Sequence, residues 1–171
     1  GRTFKESFQK AIRSLEIGHV GFDPPELAEG EAGEKQLWAQ IDTPRPGRPW
    51  AIVEAFRRGV TVEEIFDRTK IDRWFLRNLH EIATAEARLI AATGDERDRF
   101  LRPAKQMGFS DARIAALWEV TEADVRAQRK KLGITPVYKR VDTCGAEFKA
   151  HTPYLYSTYE EAVSYTHLRA H

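Results

Sequence analysis

Hydrophobic positions recur at helical spacing over most of this 171-residue chain. Phe4, Phe8, Ile12 and Leu15 fall on one face, with Lys5, Gln9, Lys10 and Arg13 elsewhere, so the pattern predicts an amphipathic helix over Gly1–Ile17. Thr3 is a good N-cap, Glu6 stands three positions later as in a capping box, and Gly18 stops the helix. The next stretch, HVGFDPPELAEGEAG, carries two prolines and several glycines and reads as a connector. A short helix is expected over Glu34–Ile41, broken by the prolines of DTPRPGRPW. Pro49 then suits the first residue of a helix through Arg58.

From Gly59 the signals sharpen. Thr61 caps a short helix to about Arg68, with Glu64 at the capping-box position. Asp72 caps a long helix to about Thr93. Its apolar stripe is Phe75, Leu76, Leu79, Ile82, Ala83, Ala87 and Ile90, which must pack on something. Another helix fits Asp95–Met107, with Pro103 expected to kink or divide it. Ser110 caps a short helix, a turn follows at Trp118–Val120, and Thr121 caps a last helix that ends in basic residues and Gly133.

Shifting by 49 positions (108 less 59) lays Gly59 on Gly108, Thr61 on Ser110, Ile65 on Ile114, Ile71 on Val120, Asp72 on Thr121 and Leu76 on Val125. Both segments read as glycine, apolar residue, cap, short helix, turn, second cap, second helix, which implies two similar helical hairpins. Two copies fall short of the three that a solenoid wants. In the second hairpin Ile114, Leu117, Val120, Val125 and Leu132 are expected in the core, and Arg126, Arg129 and Lys130 mostly in solvent. Beyond Gly133 the β-branched and aromatic content predicts extended chain, with a short helical turn near Gly145–Phe148.

Composition adds limits. Hydrophobic residues make up 42% and charged ones 31%, an ordinary globular balance, and the formal net charge is +1. No global field therefore draws the chain to nucleic acid or to an anionic membrane. No apolar run approaches the ~20 residues of a membrane span. The lone Cys144 fits a reducing, cytoplasmic setting. Without a signal peptide or an initial Met, the sequence reads as a fragment of something longer.

The stretch GFSDARIAALWEVTEADVRAQRKKLGI has the grammar of a helix-turn-helix, whose second helix offers its N-terminal residues to base edges. Here those residues are Glu122 and Asp124, unfavourable against a polyanion, while Arg126, Arg129, Lys130 and Lys131 come late, where they also suit the helix dipole. In the first copy the matching positions hold Arg73, Trp74 and Phe75, and the two rings suit a core or a protein interface. A nucleic-acid-binding domain is thus the alternative reading.

Catalytic chemistry finds little footing. There is no glycine-rich phosphate loop and neither CxxC nor HExxH. His19, His80, His151, His167 and His171 are scattered, and His80 and Glu81 are neighbours that do not face each other on a helix. Cys144 has no positioned histidine base. No catalytic, cofactor-binding or metal-binding residue is expected. Trp38, Trp50, Trp74 and Trp118 read as anchors of a core and of a subunit contact.

Several long strings are chemically idiosyncratic: GRTFKESFQKAIRSLEIG, KIDRWFLRNLHEI, GFSDARIA, PVYKRVDTCGAEF and YSTYEE. Together they resemble the central part of the large subunit of carbamoyl phosphate synthetase, nearly without interruption from Gly1 to about Glu161. That family's large subunit carries two homologous ATP-grasp halves, one making carboxyphosphate and then carbamate, the other phosphorylating carbamate, with an all-helical oligomerisation domain between them. The resemblance implies that 1–18 is the C-terminal helix of the first synthetase half, 19–149 the oligomerisation domain, and 150–161 the lead-in to the second half. Gly145 stands where the family more often has alanine. At 162–171 the string AVSYTHLRAH departs from the family's acidic continuation and is expected to be a non-native tail. The fold class expected is all-α, an irregular array of short helices with two similar hairpins and an extended C-terminal segment.

By the same resemblance, this is a non-catalytic connecting and oligomerisation module of a glutamine-hydrolysing ligase. The parent implies ATP and magnesium or manganese, and glutamine-derived ammonia from a small glutaminase subunit or domain. Flanking ATP-grasp halves and a second copy are the expected partners, with no nucleic acid and no membrane. Parted from its synthetase half, the first helix is expected to dock on remaining apolar surface or to fray.

Overall fold

The computed structural model describes residues 1–145, 147–148 and 154–160. Among them the chain forms eight helices and one two-stranded sheet. The first helix, α1 (Phe4–Ser14), opens where Thr3 Oγ1 accepts from the Glu6 amide at 3.2 Å. It ends a turn earlier than expected, leaving Leu15 exposed. The connector is extended, but it buries Phe22 in the core, a position that glycines and prolines on both sides disguise.

Helix α2 (Gly30–Asp42) starts four residues before the expected Glu34. Two glycines, poor helix formers, hide its first turn. Gly33 is required there, because a Cβ would lie 1.8 Å from the Ala28 carbonyl oxygen. Helix α3 (Arg48–Arg57) has Pro49 in its first turn, as expected.

The pseudo-repeat is real, and it begins one helix earlier than the sequence suggested. Helices α3, α4 (Val62–Thr69) and α5 (Arg73–Ala91) are followed by α6 (Asp95–Met107), α7 (Asp111–Trp118) and α8 (Glu122–Lys131). Helices α3 and α6 end alike: the Val60 amide reaches Ala55 O at 3.0 Å, and the Phe109 amide reaches Ala104 O at 3.1 Å. Gly59 and Gly108 take φ of 86° and 101° in these two turns. Thr61 and Ser110 cap α4 and α7, which both close on a left-handed residue, Lys70 at φ 56° and Glu119 at φ 55°. Ile65 and Ile114, and likewise Leu76 and Val125, are fully buried equivalents. Thr61 with Glu64, and Thr121 with Asp124, form complete capping boxes.

Helix α5 is the central strut and touches α1, α3, α4, α6 and α7. Its buried stripe is Leu76, Leu79, Ile82, Ala83, Glu86 and Leu89. Phe75, Ala87 and Ile90, expected inside, are exposed, and a carboxylate takes the inner position instead. Helix α6 runs through Pro103 as one helix rather than two. In the second hairpin Ile114 and Val125 are buried as expected, Leu117 and Leu132 pack part-buried against the core, and Val120 is exposed. Arg129, expected in solvent, is only 8% exposed.

The extended C-terminal segment pairs with itself. Strand β1 (Val137–Arg140) runs antiparallel to β2 (Leu155–Thr158), with Val137 opposite Thr158 and Arg140 opposite Leu155. At the expected helical turn, the Glu147 amide donates to Cys144 O at 3.1 Å, but residue 146 lies outside the described residues. So does the expected non-native tail at 162–171.

Candidate functional site

The first helix docks, and it does so on the corner between α6 and α7. Gln9 Nε2 donates to Met107 O at 3.0 Å, and an Arg13 guanidinium nitrogen donates to Gly108 O at 2.8 Å. Only glycine allows this approach. A Cβ on Gly108 would lie 2.8 Å from the Glu6 Cα, at a backbone φ that already disfavours side chains.

On the same corner α1 meets β2. Glu6, 1% exposed, accepts from the Arg2 amide at 2.7 Å, from Lys10 at 2.8 Å and from the Thr158 hydroxyl at 3.2 Å. Lys10 also donates to Ser157 O. Burial pushes the Glu6 carboxyl up, but the bond from Lys10, the Arg2 amide, the Lys10 charge and the Thr158 hydroxyl outweigh it and hold the group below its ordinary 4.5. Beyond the strand, Gln106 Nε2 donates to Tyr159 O at 3.4 Å, and Arg2 Nε lies 3.5 Å from Glu160. The two ends of the described chain are therefore bonded to each other on one corner of the helical body.

Two further clusters of buried charge stand in the helical body, the first of them beside this corner. Asp111 takes Lys105 Nζ at 2.7 Å and Arg129 Nε at 3.1 Å. Lys105 also donates to Phe109 O at 2.6 Å, and Arg129 to Ile134 O at 2.8 Å. Both cations lie over the Tyr159 ring, 5.0 and 5.6 Å from its centroid. Burial lowers the Lys105 ammonium from its usual range against the pull of Asp111. For Asp111, burial raises the carboxyl, but the Lys105 bond and the two cationic charges prevail and lower it.

In the other cluster Glu86 bridges Arg57 on α3 and Arg113 on α7. Both guanidinium groups also donate to the Phe22 carbonyl, and Arg113 pairs with Asp23 at 2.5 Å. This cluster clamps the connector onto α3, α5 and α7.

The helix-turn-helix surface is spent on itself. Asp124 closes the Thr121 capping box, Arg126 pairs with Glu122 at 2.8 Å, and Arg129 is buried on Asp111. Of the late basic residues Arg126 and Lys130 are exposed, as expected, and so is Lys131. The residues weighed for catalysis lie apart. The Cys144 amide donates to Asp142 at 3.0 Å, His80 is exposed with its ring edge-on to Phe56 at 5.1 Å, and His19 pairs with Asp23 at 2.9 Å. His151, His167 and His171 lie outside the described residues. Among the described residues no group of three or more His, Cys, Asp or Glu is placed to hold a metal ion, and no helix is long and apolar enough to cross a membrane.

Sequence reasoning missed the buried charges. One signal was available: Glu86 occupies the inner stripe of α5, three or four positions from Ile82, Ala83 and Leu89, where a charge must find a partner. The partners themselves come from 27 and 29 residues away and follow no local pattern.

Comparison with known proteins decides the relationship. A family profile described as "Carbamoyl-phosphate synthetase large chain, oligomerisation domain" matches residues 1–133. The chain belongs to this family. It is 50% identical over 165 residues to the carbamoyl phosphate synthase large chain of Myxococcus xanthus, covering 94% of this chain and 15% of that one. It is 47% identical over 160 residues to the large chain, N-terminal section, of Aquifex aeolicus, covering 94% of this chain and 28% of that one. A third relative, 45% identical over 161 residues, is the arginine-specific large chain of Arabidopsis thaliana, described as chloroplastic. The chain thus spans about a seventh to a quarter of the length of these relatives.

Proposed function

We propose that this chain is the connecting and self-association module of a glutamine-hydrolysing carbamoyl phosphate synthase, a ligase forming carbamoyl phosphate from bicarbonate and glutamine-derived ammonia with ATP. In this reading 1–18 is the last helix of the first synthetase half, 19–149 the module, and 150–161 the lead-in to the second half. Its partners are those two halves, a small glutaminase subunit or domain, and a further copy of the enzyme, in the cytoplasm. The observation that carries the reading is the corner where α1 and β2 are bonded through Glu6, Lys10 and Thr158. A module that grips both linkers at one point fixes how the two flanking halves leave it.

In this reading the parent's ATP and its magnesium or manganese are held by the two synthetase halves. Among the described residues the buried carboxylates Glu6, Glu86 and Asp111 are each paired with lysine or arginine. The module acts by position, and the chemistry belongs to the synthetase halves.

The test is an exchange. Residues 1–160 replace the matching segment in the Myxococcus xanthus large chain, and glutamine-dependent carbamoyl phosphate formation is measured. Retained activity, together with no turnover by the 171-residue chain alone, is the expected result. Turnover by the chain alone, or a folded but inactive chimera, would refute it.

A further inference from the structure

A file of aromatic rings runs from the core out into solvent. Trp50 and Phe22 are buried with centroids 6.0 Å apart, Phe8 stacks on Phe22 at 5.9 Å, and Phe4 stacks on Phe8 at 5.2 Å. Phe4 then meets Trp74 and Phe75 edge-on at 5.2 and 5.4 Å. There the file stops uncovered, with Trp74 54% and Phe75 45% exposed. The Lys5–Glu81 ion pair joins α1 to α5 beside it, and Arg73 is held by Glu63 at 2.7 Å. Contacting aromatics with a charged rim have the make-up of a protein interface, in which large rings carry most of the binding energy.

We propose that this patch seats the first synthetase half of the same polypeptide, through the stretch immediately upstream of Gly1. The proposal rests on the connecting-module reading, and two observations select the occupant. This chain is only 15% of the length of its Myxococcus xanthus relative, and Phe4 is three residues from Gly1. Upstream chain would therefore arrive within about 11 Å of the Phe4 Cα. A neighbour tethered so closely acts at an effective concentration of order millimolar, which favours it over a free partner. The downstream chain meets the other side of α1. Glu6 lies two positions after Phe4, about 200° round the helix, and it is the Glu6 side that binds Thr158 and β2.

The experiment compares hydroxyl-radical footprints of Trp74 and Phe75 in the 171-residue chain and in the full-length large chain carrying this segment. Trp74 is expected to oxidise readily in the short chain and roughly tenfold less in the full one, as a ring moved into an interface core should. Equal oxidation in both overturns the proposal. A photo-crosslinking residue in place of Trp74 then identifies the cover. A crosslink within one chain to residues upstream of Gly1 supports the proposal. A crosslink to a second subunit, to the glutaminase or to residues beyond Glu160 overturns it. Carbamoyl phosphate formation by the unmodified full-length chain is measured alongside. Its absence defeats the functional reading whatever the footprint, whereas activity with an unprotected Trp74 defeats only the docking surface.

Discussion

The Thr158 hydroxyl donates to Glu6 Oε2 at 3.2 Å across 152 residues of chain, and both residues are 1% exposed. Lys10 and the Arg2 amide complete the shell around that carboxylate. Its folded-state value is lowered, as is that of Asp111, so the unfolded chain binds protons more readily than the folded one. The stabilisation is then complete well above their ordinary 4.5 and 3.8, and it is lost as pH falls through the lowered folded values. Urea midpoints should stay level from neutral pH down to about 5 and drop below that. Glu6→Gln should flatten part of the drop. A midpoint that rose on acidification would contradict the assignment.

Gly108 separates a crowded glycine from a merely left-handed one. Its missing Cβ would meet the Glu6 Cα at 2.8 Å, whereas a Cβ on Gly133, also at positive φ, would meet nothing within 4 Å. Gly133→Ala should cost about 1–2 kcal/mol from the backbone alone. Gly108→Ala should cost more, about 2–4 kcal/mol, because α1 must also shift. Thermal unfolding of the two variants measures the gap, and equal losses would mean that α1 does not press on this corner.

The Glu86 cluster ties the connector to three helices, and its arginines differ in what they hold. Arg113 is 6% exposed and reaches Glu86, Asp23 and the Phe22 carbonyl. Arg113→Ala leaves Glu86 half-paired and should destabilise by about 3–5 kcal/mol. The exposed pair Arg126–Glu122 is a control, and Arg126→Ala should cost under about 1 kcal/mol. Chemical denaturation of both variants checks the ordering.

Nucleic acid should not bind. Fluorescence anisotropy against duplex DNA is expected to stay flat at low and at moderate salt, since α8 opens on Glu122 and Asp124 and two of its four basic residues, Arg126 and Arg129, are paired with carboxylates. A strongly salt-dependent titration would point the other way.

The parts of the fold that were legible in the sequence are those fixed locally. Thr61, Ser110 and Thr121 cap helices because a hydroxyl reaches an amide three residues on, and the 49-residue echo (108 less 59) follows from repeating those caps. Long-range choices were hidden. The apolar stripe of α5 read from Phe75 to Ile90, but α3, α4 and α7 pack on a face that admits Glu86 and leaves both of those residues exposed. Arg129 looked like a solvated C-terminal cation until Asp111, 18 residues back, buried it. The hairpin was legible only as extended chain, because its strands are joined by a long segment rather than by a two-residue turn that would fix their register. No site residue was expected, and the buried charges at Glu6, Glu86 and Asp111 are pins that hold segments together.

The central claim is that both ends of the module are gripped as one unit. Native-state hydrogen exchange on α1 and β2 tests it most directly. Amides of Gln9–Arg13 and of Leu155–Thr158 should open with matching free energies, and Glu6→Ala should lower both together by about 2–4 kcal/mol while leaving α3 and α4 nearly unchanged. Exchange of α1 that stays independent of β2, or a Glu6→Ala variant that loosens only one of them, would contradict the account.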